Sequence, residues 1–422
     1  HIIGVIVMDN VLAINGGIPV RDHPLPPAFP GAVMYDEREK EGLCDIIDRQ
    51  SPFRYYGPNL AGSVKRFERQ LAETIGTRYA LGVTSCTAAL VCALKACGVG
   101  PGDKVIVPAC TFLATPGAVV IAGAVPVFCD IDDSLSLDPD ALEAVIDPYV
   151  KAVIAVPILG NPCRMDAITA VAKKHRLYVI EDVAQSIGSR YRGQHSGSFG
   201  DISVFSLQMN KIITTGEGGA VVTNDPLLYE RAVRYHDQGM YREQEGFLSK
   251  DAERNVFIGQ NYRMSELTGA VACAQMAKLP AILSRMKELK QYIKGQLEGL
   301  VPFRAINDKE GDASSNIMLL LKDAETSRRF REALNAENIA ASYLYNGQPI
   351  YMLPQIFHQK TADADGFPFN QFPEKIVYTE DMCPRALQLL AGNVVLPISP
   401  VYTDEDAQDI VKGVKKVAAS LL

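Results

Sequence analysis

The sequence predicts an α/β protein with a large domain, in which a mostly parallel central sheet is sandwiched by helices, and a smaller C-terminal α/β domain. Three observations carry this expectation. Between residues 79 and 225, short β-branched or apolar runs alternate with helix-like segments, the pattern of strands joined by crossover helices. Beyond residue 264 the chain changes to long helical stretches with isolated strand candidates. At 422 residues and 47% hydrophobic content, it can bury enough core for a large unit and a smaller one.

The elements follow in order. After a Pro- and Gly-rich lead-in, HPLPPAFPGA at 23–32, helices are expected at 37–49 and 62–75, the second stopped by Gly76. Strands are expected at 79–83, 104–107, 125–128, 152–156, 177–180, 202–205 and 219–222, with helices at 87–97, 114–122, 140–146 and 165–175. A helical stretch at 264–297 is expected to break at Pro280, which lacks the backbone N–H that a helix interior uses. A strand at 316–321 and helices at 326–337 and 404–421 complete the C-terminal part. The aromatic, Pro- and Gly-containing stretch from Tyr343 to about Glu380 reads as a long loop of the functional or mobile kind. These elements divide the chain into a lead-in at 1–30, a large domain at 31–275 and a small domain at 276–422.

Charge and composition exclude several functions. A formal net charge of -7, with Lys and Arg spread along the chain, leaves no basic footprint for nucleic acid. No apolar stretch of about 20 residues escapes a charge, Gly or Pro, so a cytoplasmic protein without a membrane partner is expected. The opening HIIGVIV lacks the basic flank and cleavage site of a secretory signal, and reads as an expression remnant or frayed extension. Nine cysteines, an odd number without a CxxC pair, suggest reduced, buried thiols. Cys92 and Cys97 would point roughly 140° apart on a helix, so no metal site is expected.

Four segments carry candidate chemistry. FSLQMNKIITTGEGGAVVT (205–223) places Lys211 just beyond a strand and before a glycine-rich turn, where backbone can bend closely around a ligand. LYVIEDVAQS (177–186) is a buried strand that delivers Asp182 at its carboxyl end, where ligands bind in open α/β sheets; Gln185 follows three residues on. VTSCTAALVCALKACG (83–98) is a strand, a polar turn and a helix. With Ser85 or Thr87 as its cap, that helix N-terminus suits a phosphate, and Ser206 is a second candidate donor. PACTFLAT (108–115) puts Phe112 at another strand end, able to stack on a flat ring, although alone it reads as a core residue. Together the four fit pyridoxal 5′-phosphate (PLP). Its aldehyde needs an amine that is neutral part of the time, and its pyridine nitrogen needs a carboxylate that keeps it protonated.

These residues resemble the DegT/StrS family, fold-type-I PLP-dependent aminotransferases of the sugar and cyclitol class. The resemblance runs from AINGGIPVR at 13–21 to LPISPVYTDEDAQDIV at 396–411. Its most specific parts are SCTAAL at 85–90, TFLAT at 111–115, EDVAQSIGSRYRG at 181–193, SFGDISVFS at 198–206, KIITTGEGG at 211–219 and QNYRMSEL at 260–267. It implies that Lys211 forms an internal aldimine and shuttles protons, that Asp182 partners the pyridine nitrogen, and that Gln185 neighbours the ring oxygen. It further implies that Phe112 stacks on the ring and that Cys86, Thr87 and Ser206 belong to the phosphate cradle. Asn261 would reach the phosphate of a second subunit, which implies a homodimer with shared active sites. One departure is Cys86, where the family usually has glycine.

The implied reaction passes an amino group from L-glutamate or L-glutamine to a keto group of a sugar, nucleotide-linked in this reading, or of a cyclitol. It runs by a ping-pong mechanism with pyridoxamine 5′-phosphate as intermediate. AINGGIPVR is similar to the cyclitol-type members, and only scattered basic residues (Arg190, Arg192, Arg242) offer themselves to a diphosphate. His236, Tyr343 and Tyr345 are the expected substrate contacts. The alternatives are a pyridoxamine-dependent sugar dehydratase relative and a non-catalytic PLP-binding regulatory protein. The dehydratase branch replaces the lysine, typically by His, and a non-catalytic relative is expected to lose Lys211 or Asp182; both are present. A dinucleotide-binding oxidoreductase would want a GxGxxG turn, which GVTSCT does not supply.

Overall fold

The computed structural model describes residues 11–242 and 256–422; the HIIGVIV segment lies outside the described residues. The first half contains α1 (Glu37–Arg49), α2 (Ser63–Ile75), β1 (Tyr79–Val83), α3 (Cys86–Ala96), β2 (Lys104–Pro108), α4 (Ala114–Ile121), β3 (Val125–Cys129), α5 (Pro139–Leu142), β4 (Val150–Ala155), α6 (Met165–His175), β5 (Tyr178–Asp182), the short pair β6 (Arg190–Tyr191) and β7 (Gln194–His195), β8 (Ile202–Ser206) and β9 (Gly219–Thr223). Then come α7 (Pro226–His236), α8 (Glu266–Leu297), β10 (Asn316–Leu320), α9 (Ala324–Ala336), α10 (Pro354–Phe357), α11 (Pro384–Ala391), β11 (Asn393–Pro397) and α12 (Asp404–Leu421).

Seven strands form the central sheet in the order β1-β9-β8-β5-β4-β2-β3. The run from β8 to β3 is parallel, and β9 is antiparallel to both neighbours. Side chains alternate between the faces, as strand geometry requires. Val105 and Val107 pack with Leu90, Leu94 and Val119 of α3 and α4. Ile106 packs with Met165 and Ile168 of α6 on the opposite face. Because β9 runs backwards, its first residue lies at the carboxyl edge of the parallel strands. Gly219 pairs with Ser206 at the end of β8 and with Val83 at the end of β1, and Asp182 ends β5 beside them. One sheet edge thus gathers residues from four strands.

Several expectations needed correction. Pro280 does not break the helix: α8 runs unbroken for 32 residues. A proline removes one N–H, and here Met276, Leu279, Ile282, Met286 and Leu289 bury one side of the helix on both flanks of it, which outweighs the single lost bond. This apolar helix, long enough to cross a membrane by length and composition, therefore spends its apolar side inside the fold. It also runs through residues 275 and 276. The expected helix at 140–146 is α5 followed by a 3-10 turn, Glu143–Val145. Helix α7 was not anticipated, although Asp225 accepts from the backbone N–H groups of Leu227 and Leu228 and Pro226 opens the first turn. Strand β11 was also missed; it pairs antiparallel with β10. The 343–380 stretch carries α10 and several 3-10 turns and buries Tyr351 and Tyr378 against Phe128. All nine cysteines are free; six are buried, and Cys44 is exposed.

Candidate active site

A cleft of ≈ 590 Å³ opens at the gathered strand ends and is lined by Ser85, Cys86, Thr87, Phe112, Asp182, Gln185, Ser206, Lys211 and Tyr345, among others. Lys211 sits in the turn between β8 and β9, where its N–H donates to the Gln208 carbonyl at 3.0 Å. Gly216, with φ 82°, completes that turn in the left-handed region open to glycine. The Lys211 side chain is half-buried, and no hydrogen bond or ion pair joins its amine to another described residue. Burial holds the amine below the ordinary lysine range, while Cys86 and Asp182 pull in the opposite sense. A lysine in that state keeps a larger neutral, nucleophilic fraction.

Asp182 is 4% exposed. Burial pushes its carboxyl upward, opposed by the hydrogen bond from Thr115, by the Ala184 N–H and by the charge of Lys211. Across the cleft floor, Ser85 caps α3 by accepting from the Ala88 N–H at 3.1 Å. The first N–H groups of the helix have no intrahelical partner and present positive ends to the cleft. Strand β9 lies so close that a Cβ on Gly219 would come 2.6 Å from the Cys86 nitrogen and 2.4 Å from the Ser85 carbonyl carbon. Only glycine permits that approach. Cys86 puts its Sγ 3.9 Å from Asp182 Oδ1, so the thiol faces the carboxylate. Ser206, 6% exposed, accepts from the Gln208 N–H at 3.3 Å and lines the cleft with a hydroxyl that can also donate.

Phe112 is not a core residue: 61% of it is exposed, and it forms part of the cleft wall. Gln185 donates through Nε2 to the Tyr345 hydroxyl at 2.7 Å and accepts through Oε1 from the Leu159 N–H at 3.3 Å.

Two expected substrate contacts lie elsewhere. His236 is fully buried at the end of α7, between the Val233 carbonyl and the Tyr55 hydroxyl. Burial, together with the charges of Arg54, Arg263 and Arg242, drives its pKa well below the usual histidine range; it is a buried packing residue that does not line the cleft. Tyr343 is outside the cleft wall, with the Arg331 guanidinium 3.9 Å from its ring centroid. Tyr345 lines the cleft and Tyr343 does not. Asn261 is exposed and does not line the cleft of its own chain.

Sequence reasoning missed several wall residues. Ser315, Asn316 and Pro397 come from β10, β11 and their flanks, and Ala28 and Pro30 from the lead-in. No local signal marks them, because only the tertiary fold brings them here. Thr115 was visible in TFLAT but was given no role.

The donor set fits PLP. An unpaired amine, a buried carboxylate held in place, a helix N-terminus with hydroxyls and an exposed aromatic face match its aldehyde, pyridine nitrogen, phosphate and ring. Among the described residues, no group of three or more His, Cys, Asp or Glu could hold a metal. Residues 57–415 match the model of the DegT/DnrJ/EryC1/StrS aminotransferase family. The chain is 35% identical over 353 residues to GDP-perosamine synthase of Escherichia coli O157:H7, covering 81% of this chain and 93% of that protein. It is 34% identical over 364 residues to L-glutamine:2-deoxy-scyllo-inosose aminotransferase of Streptomyces kanamyceticus, covering 81% of this chain and 82% of that one. The crystal structure of 3-amino-5-hydroxybenzoic acid synthase matches with a TM-score of 0.81 at 26% identity, covering 94% of this chain and 100% of that chain.

Proposed function

The chain belongs to the DegT/DnrJ/EryC1/StrS aminotransferase family and is a PLP-dependent aminotransferase of the sugar and cyclitol class, and we propose that it moves an amino group from L-glutamate or L-glutamine to a ring ketone through Lys211. The acceptor is a keto sugar, in the nucleotide-linked form, or a cyclitol ketone. Of the two relatives named above, one is named for a GDP-linked product and the other for an inosose acceptor. The observation that carries this reading is the meeting of the unpaired Lys211 amine, the Asp182 carboxylate and the α3 N-terminus in one cleft.

Bound there, PLP supplies an aldehyde that takes up amines and a protonated ring that withdraws electrons. Asp182 would accept from the ring nitrogen and keep it protonated. The free N–H groups of Cys86 and Thr87, with the hydroxyls of Ser85, Thr87 and Ser206, would hold the phosphate. Phe112 and Gln185, both in the cleft wall, would contact the ring. The Lys211 amine would take the proton from the α-carbon of the amino donor and, in the second half, deliver one to the carbon that carried the ketone, so one group serves as base and acid. One site serves both halves, which makes the kinetics ping-pong. Tyr345 faces the substrate from the small-domain side.

Asn261, exposed and away from its own cleft, is proposed to complete the site of a second copy in a homodimer. The division into a large domain at 31–275 and a small one at 276–422 is likewise proposed, with α8 as the shared element. The retained Lys211 argues against a pyridoxamine-dependent dehydratase, and the presence of both Lys211 and Asp182 argues against a non-catalytic relative that has lost one of them.

The test is an absorbance spectrum of the protein with PLP, then with L-glutamate or L-glutamine, then with a panel of keto sugars and inososes. Loss of the near-visible band with donor and its return with one ketone would support the reading and name the acceptor. PLP binding with no response to any donor would contradict it.

A further inference from the structure

Asp182 has a second layer of support. Its Oδ2 accepts from Thr115 Oγ1 at 2.8 Å, and Thr115 Oγ1 lies 2.7 Å from Thr111 Oγ1. Both threonines are buried, at 1% and 0% exposure. Among the described residues, Thr115 is the one side chain that hydrogen-bonds Asp182 through oxygen or nitrogen; the other contacts are the Ala184 N–H at 3.2 Å and the Cys86 thiol. A hydroxyl carries one proton. If Thr115 spends its proton on the carboxylate, Thr111 must donate to Thr115, so the relay runs one way, from Thr111 through Thr115 to Asp182. That direction favours an ionised Asp182, which offers only acceptors. It also pins Oδ2, while Oδ1 accepts from the Ala184 N–H and meets the Cys86 thiol.

We propose that Thr115, oriented by Thr111, is a positioning residue for the reaction: it keeps Asp182 ionised and aims its carboxylate at the pyridine nitrogen. This rests on the cofactor reading above. The charged and titratable groups that face Asp182 are Lys211 from the turn after β8, Cys86 from the start of α3 and Tyr345 from the turn before α10. Lys211 alone among them adds a positive charge, and in turnover its amine is engaged elsewhere. Of the protein's own groups, Thr115 and the Ala184 N–H are then left to offset burial, beside the protonated ring nitrogen.

The test compares Thr115→Val and Thr115→Ser in the full chain, with two readouts besides turnover. The first is the titration of the Asp182 carboxyl in protein free of PLP, followed by isotope-edited infrared or carbon NMR. The second is the dissociation constant for PLP. Removing a hydrogen bond to a charged group should weaken PLP binding about tenfold or more and move the carboxyl midpoint up by about 1 pH unit. Thr115→Ser should restore both to within about threefold of the parent. An unchanged carboxyl midpoint and PLP affinity in Thr115→Val would overturn the proposal. Should that variant fail to fold, Thr115→Ala, which adds no bulk, is read in the same way. Failure of the parent itself to take PLP would instead sink the cofactor reading and leave the carboxyl titration to decide the Thr115–Asp182 link.

Discussion

The side-chain amide of Gln185 donates to the Tyr345 hydroxyl at 2.7 Å across 160 positions of sequence. Both ends are fixed by unusual backbone. Tyr345 and Asn346 are successive non-glycine residues with φ 50° and 54°, a conformation that costs about 1–3 kcal/mol per residue and that turns the phenol into the cleft. Leu159, which donates to Gln185 Oε1, has φ 47°, and its carbonyl accepts from the buried Arg304 guanidinium at 2.8 Å. The amide of Gln185 is thus oriented from both sides before any ligand arrives.

Tyr345→Phe keeps the ring and removes the acceptor of that bond. The expected outcome is a loss of about tenfold in kcat/KM, the scale of one hydrogen bond, with PLP still bound. Steady-state kinetics beside a PLP titration check it; a variant that loses PLP while its kcat/KM, measured at saturating PLP, is unchanged would show that Tyr345 serves only the cofactor.

The Lys211 amine should lose its proton at lower pH than an ordinary lysine. Burial penalises the charged form and is opposed by Cys86 and Asp182, so the neutral amine should appear below the ordinary value of about 10.4. Asp182→Asn removes a negative charge that favours the ammonium, and should lower the midpoint further. Competitive amine labelling against pH, read by peptide mass spectrometry on protein without PLP, measures both. A midpoint at or above that of exposed lysines would contradict the argument.

Cys86 should be a sluggish thiol. Burial and the Asp182 charge hold its pKa well above the ordinary thiol value, which suppresses the reactive thiolate. With a limited amount of iodoacetamide at neutral pH, exposed Cys44 should be alkylated first and Cys86 should lag, and PLP should slow Cys86 further. Fast, PLP-insensitive labelling of Cys86 would contradict its placement in the cradle.

Glu266 tests the scaffold. Its carboxylate is fully buried and accepts from the Ser63 N–H at 2.6 Å and the Val64 N–H at 3.0 Å, tying α8 to the start of α2. Glu266→Ala strands two buried donors, for an expected loss of about 2–5 kcal/mol. Denaturant unfolding checks it, and a loss under about 0.5 kcal/mol would mean that water replaces the carboxylate.

The large sheet was legible because buried parallel strands read as short apolar runs between amphipathic helices. Lys211, Asp182 and Ser85 were legible because each sits beside a local signal: a glycine-rich turn, a strand end, a helix cap. What failed was long-range or energetic. Ser315, Asn316 and Pro397 reach the cleft only through the pairing of β10 with β11. His236 has the chemistry of a substrate contact, but the helix that carries it turns it inward. Pro280 carries a strong local penalty that tertiary packing on both sides overrides. Thr115 looked like one more helix residue until its hydroxyl was seen to meet Asp182.

The most direct test of the central assignment is borohydride reduction of the protein after incubation with PLP, followed by peptide mapping. The account predicts one modified peptide carrying the cofactor on Lys211, and none in Lys211→Ala. Stable attachment to a different lysine, or none at all in the parent protein, would contradict it.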